Sequence, residues 1–198
     1  MNVEEITFDN FMSLDHKERK KILNDPELIK PLLRKNMKQS RYDHSVSTAE
    51  LCRELAECHH VDPKKAYMAG LLHDVCKFSD PQRNKELEEY LRCYDPEKLN
   101  GIEGAYHSWA ARYYLREKVN YHDRDILNAI YHHTICSSRD KLSLILYIAD
   151  KREPLRGIDD DIVAIARKDL YRAYELLHWD VERHIREVKN ERFVADGV

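Results

Sequence analysis

Apolar positions recur with a helical period along nearly the whole chain, and no stretch shows the two-residue alternation of a half-buried strand. Residues 1–35 predict two or three short amphipathic helices, one capped by Asp15 with Glu18 completing a capping box. Ser40 opens a longer helix to about residue 60, in which His44, Thr48, Leu51, Cys52 and Leu55 share one face. Asp62-Pro63 starts the next as N-cap and first-turn proline. "SDPQRN" and "YDPEKLNGIEG" read as turns around a helix over 83–92, and further helices fit 105–118, 123–133 and 140–151. Pro154 disfavours helical geometry at Glu153, so the last of these stops there. A short and a long amphipathic helix follow, the first entered through Asp159, Asp160 and Asp161, where the helix dipole favours negative charge. "LSLILYIAD" is apolar nearly all round, the mark of a central helix. The pattern predicts an all-α bundle: a helical extension over 1–35 and a main domain over 36–198. The stripe of Leu170, Ala173, Tyr174, Leu177, Val181, Ile185 and Val188 is expected to pack on the body, with a homodimer as the alternative.

Composition narrows the class without changing that picture. With 42% apolar residues the 198-residue chain can build a sizeable core, and 5 Gly and 6 Pro suit a helical protein. A net charge of -3 argues against a nucleic-acid partner. The acidic start "MNVEEITFDN" lacks the apolar core of a signal peptide, and no run approaches a membrane span. Cys52, Cys58, Cys76, Cys93 and Cys136 are odd in number and form no CxxC, so reduced thiols in the cytoplasm are expected.

The candidate chemistry lies in polar residues on apolar faces. His44 sits on one such face, and "AYMAGLLHDVCK" ends in His73-Asp74 after Ala66, Ala69 and Gly70, small residues that let a neighbouring backbone come close. His107 shares a face with Ala110, Ala111 and Tyr114, His133 lies in line with Ile126 and Ile130, and Asp150 ends the central helix. Any one of these alone is an ordinary core or terminal residue. Together they place four imidazoles and two carboxylates inward on five helices, and burying carboxylates costs several kcal/mol each unless they are paired or coordinate metal. Mixed nitrogen and oxygen donors suit iron, manganese, nickel or zinc. Basic residues stand beside these positions in sequence: Arg41, Lys77, Lys151, Arg152 and Arg156. They would hold a substrate's phosphates or, for Arg152, pair with Asp159 or Asp160. Tyr106, Trp109 and Tyr131 are either nucleoside platforms or core.

His44, His73-Asp74 and Asp150 resemble the H…HD…D signature of the HD-domain metal-dependent phosphohydrolases. "RYDHSVSTAELCRELAECHHVDPKKAYMAGLLHDVCK", "YHSWAA", "LNAIYHHT" and "YIADKREPLRG" are similar, in order, to blocks of the YqeK family within them, over about 40–175. The segment "ICSSRDK" departs from that family's usual glycine and methionine, which touches the loop beside His133.

The resemblance implies an all-helical HD bundle and symmetrical hydrolysis of diadenosine tetraphosphate to two ADP by a hydroxide held between two metal ions. The metal ligands it implies are His44, His73, Asp74, His107, His133 and Asp150, with Asp74 bridging. Iron is the expected metal, with manganese, nickel, cobalt and zinc as alternatives. His107 and His133 are the residues that separate two ions from one, and core histidines are their other reading. Asp74 and Lys77 are expected to take part in the chemical step, and Arg41, Lys77, Lys151, Arg152 and Arg156 to bind a dinucleoside polyphosphate or other nucleotide. Another HD phosphohydrolase activity on a nucleoside mono- or triphosphate or a guanosine alarmone, or a non-catalytic nucleotide-sensing module, are the alternatives.

Overall fold

The computed structural model describes residues 6, 8–11, 13–77 and 105–195, with positions 82, 85, 86 and 89 between the two blocks. Side chains at 8, 9, 182 and 184–195 are outside that description. The expected helix over 83–92, its flanking turns and Cys93 fall outside it too, apart from the isolated positions. The order is α1 (Phe8–Phe11), α2 (His16–Leu23), α3 (Pro26–Asn36), α4 (Gln39–Cys58), α5 (Pro63–Leu72), α6 (Tyr106–Tyr113), a π-helical turn (Tyr114–Lys118), α7 (Arg124–His132), α8 (Lys141–Arg152), a 3-10 turn (Pro154–Arg156), α9 (Ile162–Ala166) and α10 (Leu170–Ala195).

Aspartate caps fix several starts. Asp15 accepts from Glu18 N, Asp62 from Lys64 N and Lys65 N, Asp123 from Asp125 N and Ile126 N, and Asp140 from Ser143 N. Ser40 does not open α4: the helix begins one residue earlier behind Lys38, which offers no side-chain cap. Nor does regular α-helix run to residue 118, because its last turn widens before Asn120 turns the chain at φ 60. Pro154 ends α8 where expected, leaving Glu153 extended.

α8 is the central helix. Leu144, Ile145, Leu146, Tyr147, Ile148 and Ala149 are all fully buried, and α8 packs on α4, α5, α7 and α10. α4 and α5 approach unusually closely, because a Cβ on Gly70 would stand 2.4 Å from the Ala49 Cα. α3 adds Ile29, Leu32 and Leu33 to the same core. Leu170, Ala173, Tyr174 and Leu177 of α10 pack inward on the body. No disulfide is present among the described residues, where Cys52, Cys58, Cys76 and Cys136 are free thiols. No helix among them is long and apolar enough to cross a membrane.

Candidate metal centre

The close α4–α5 crossing brings His44 and His73 together, with Nε2 atoms 3.3 Å apart. His73 follows the end of α5, and its Nδ1 lies 2.7 Å from Gly70 O. A carbonyl can only accept, so Nδ1 donates and Nε2 is the ring nitrogen left to face the interior. His133, just past α7, repeats the device: Nδ1 donates to Ile130 O at 2.7 Å. His44 uses a side chain instead, its Nδ1 standing 3.0 Å from Glu153 Oε1. All three imidazoles therefore aim Nε2 at the same interior space. Asp150 enters from the end of α8, its Oδ1 3.1 Å from His44 Nε2 and 3.5 Å from His73 Nε2.

Asp74 lies between two halves. Its Oδ2 faces His73 Nε2 at 3.5 Å and His44 Nε2 at 3.9 Å. Its Oδ1 faces His107 Nε2 at 3.4 Å and His133 Nε2 at 3.8 Å. His107 and His133 are themselves 2.9 Å apart at Nε2. Donor atoms of His44, His73 and Asp150 lie within 4.8 Å of one another, as do those of His73, Asp74 and His133. All six residues expected from the sequence are thus neighbours.

The donor set fits bound cations. Asp74 is fully buried, and although Lys77 Nζ is 3.0 Å from Oδ1, its hydrogen bond goes to Oδ2 at 3.1 Å. Among the described residues Oδ1 has no hydrogen-bond partner. Buried carboxylate oxygens and imidazole nitrogens crowded this closely repel one another unless protons or cations stand between them. The pKa shifts report that tension. Burial alone would raise the Asp74 carboxyl, but His73, Lys77, His107 and His133 outweigh it and hold it below the usual carboxylate range. Burial likewise would raise Asp150, and Lys151 with bonds from His44 and His73 reverses it. Burial opposes protonation of His73, yet Asp74 and Asp150 prevail and raise its pKa. On the other side burial pushes His107 down to about 4 and lowers His133 as well.

The basic residues divide. Arg41 reaches Asp74 Oδ2 at 3.4 Å, and Arg156 holds Asp150 Oδ1 at 2.9 Å at a half-exposed position. Lys151 turns inward, bonding His133 O at 3.1 Å and Asp150 Oδ2 at 3.4 Å over the Tyr147 ring. Arg152 is not brought to the cluster. Its Nε donates to Asp160 Oδ2 at 2.6 Å, and it lines a groove with Ser47, Glu50 and Glu54. Tyr106, Trp109 and Tyr131 form a half-buried ladder, with ring centroids 6.2 and 6.4 Å apart. Sequence reasoning missed Glu153, which it read only as the helix stop. Its signal was a lone acid one turn after Asp150 inside the basic run "DKREPLR".

Comparison with known proteins gives the family. The HD domain family model matches residues 41–155. A Mycoplasma pneumoniae protein named probable nicotinate-nucleotide adenylyltransferase/Ap4A hydrolase is 29% identical over 75% of this chain, which spans 44% of that relative's length. A Halalkalibacterium halodurans protein named bis(5'-nucleosyl)-tetraphosphatase, symmetrical, is 33% identical over 66% of this chain and 67% of its own. The fold matches a crystal structure titled predicted HD superfamily hydrolase involved in NAD metabolism, from Clostridium acetobutylicum. That match has a TM-score of 0.61 and 23% identity, covering 90% of this chain and 89% of the other. With the HD family model matched over more than half its length, the chain belongs to the HD-domain family.

Proposed function

We propose that this chain hydrolyses diadenosine tetraphosphate symmetrically, giving two ADP, at a centre of two metal ions. The observation that carries the reading is the split carboxylate of Asp74: Oδ2 faces His44 and His73, while Oδ1 faces His107 and His133. One ion would be held by His44, His73, Asp150 and Asp74, the other by His107, His133 and Asp74. Bound cations lower the pKa of coordinated water from about 15.7 toward 7 and neutralise phosphoryl charge. Imidazole and carboxylate donors suit iron, manganese, nickel or zinc, and we take iron as the metal on the resemblance to the YqeK family.

The chain's residues do the rest. Arg41, Lys77 and Arg156 put three cations around Asp74 and Asp150, where a tetraphosphate's negative oxygens must lie. Water adds to one central phosphorus, the bridging P–O bond breaks, and the departing ADP oxygen takes up a proton. We assign that proton to Lys77, which is hydrogen-bonded to Asp74 Oδ2 at 3.1 Å. We assign this activity to residues 36–198, with 1–35 as an extension packed on it through α3, and free thiols fit the cytoplasm. The relatives named symmetrical tetraphosphatases support the substrate class. The test is product analysis with iron or manganese: ADP as sole nucleotide is expected, and ATP plus AMP would overturn the symmetrical cut.

A further inference from the structure

We infer that Glu153 is a positioning residue for one half of the metal centre: it holds His44 with Nε2 turned inward, and so sets the affinity of the ion that His44, His73 and Asp150 share. The inference rests on the two-metal reading above. Glu153 is 2% exposed, a carboxylate taken out of water at the junction of α8 and the 3-10 turn. Such burial persists only where hydrogen bonds compensate. Oε1 faces His44 Nδ1 at 3.0 Å, Oε2 accepts from Leu155 N at 2.7 Å, and the Ser47 side chain adds a third bond.

The partner's charge distinguishes His44 from the other two oriented imidazoles. His73 and His133 donate to neutral carbonyls, Gly70 O and Ile130 O. A carboxylate polarises the Nδ1–H bond more strongly, making Nε2 a better donor to a cation and excluding the other tautomer. Glu153 bonds to His44, Ser47 and the turn that carries Arg156, and among the described residues no bond runs from it to His107 or His133. Its loss therefore acts on one ion and spares the other.

The experiment titrates the metal-free full chain with cobalt(II) against a competing chelator, for the parent, Glu153→Ala and Glu153→Gln. The parent is expected to bind two ions. Glu153→Ala weakens one of them about 10–100-fold and leaves the other within twofold. Glu153→Gln keeps one acceptor and the side-chain shape, and weakens the same ion by less. It carries the test should the alanine variant fail to fold. As a second readout, nitrogen-15 spectra of the metal-free parent show His44 Nδ1 as a protonated nitrogen shifted by its hydrogen bond to a carboxylate, and in Glu153→Ala that hydrogen-bond shift is lost. A parent with two ions whose affinities neither variant changes, or changes equally, overturns this inference alone. A parent that binds fewer than two overturns the two-metal reading and this inference with it.

Discussion

Replacing Gly70 with alanine sets two effects of opposite sign against each other. Gly70 lies in the last turns of α5, and alanine inside a helix is favoured over glycine by about 1 kcal/mol. Against that gain, the new Cβ would stand 2.4 Å from Ala49 Cα and 2.7 Å from Ala49 N. Carbon atoms prefer about 3.5–4.0 Å, so α4 and α5 must separate by about 1 Å. The obstacle is backbone, and no rotamer change relieves it. Overpacking of this kind costs about 1–3 kcal/mol, and a rigid collision belongs at the upper end. The net expectation is a loss of about 2 kcal/mol, or about 4–8 °C in melting temperature for a chain of this size. Urea denaturation of metal-free protein followed by far-UV circular dichroism measures it. The same separation pulls His44 from His73, whose Nε2 atoms are 3.3 Å apart, so metal affinity falls as well. A Gly70→Ala protein as stable as the parent or more so, with unchanged metal affinity, would refute the close-crossing argument.

Other expectations follow from the same geometry. His107→Ala removes a donor that faces only the Oδ1 side of Asp74, so the variant keeps about one tight metal equivalent by elemental analysis while hydrolysis drops by at least the roughly 10–100-fold that losing a group behind a metal ligand costs. Lowered to about 4 from 6.5, His107 binds a proton in the unfolded chain but not in the folded metal-free one across that window, so its contribution makes stability rise with pH there, by about 3 kcal/mol at most. His73, raised, acts with the opposite sign: its contribution is present below 6.5 and is lost as pH rises through its folded value. Urea midpoints at pH 5 and 7 should therefore show a smaller rise with pH in His107→Gln than in the parent, and an equal or larger rise would reject the assignment. Arg156→Ala should raise KM about tenfold or more while Arg152→Ala, its side chain bound to Asp160, leaves KM within about twofold, each missing charge-assisted bond to phosphate being worth about 1.5–3 kcal/mol. Initial-rate kinetics on diadenosine tetraphosphate separates the two.

Periodicity alone was enough for an all-helical chain with α8 at its centre, because a helix's apolar face is written every three to four residues. Caps such as Asp15 and Asp62 and the stop at Pro154 were legible for the same reason: each acts on residues a few positions away in the chain. The small residues around Gly70 also announced a close helix crossing. Local sequence could not say which neighbours would fill the space between helices. Arg152 and Arg156 stand four residues apart and read alike, yet one turns to Asp160 and the other to Asp150, since the 3-10 turn after Glu153 redirects the chain. Glu153 looked like a helix end, and its bond to His44, 109 residues away, exists only once α4 and α8 are packed. The division of Asp74 between two sets of histidines is likewise a property of five helices meeting, because coordination is decided by distances in space that no spacing along the chain encodes.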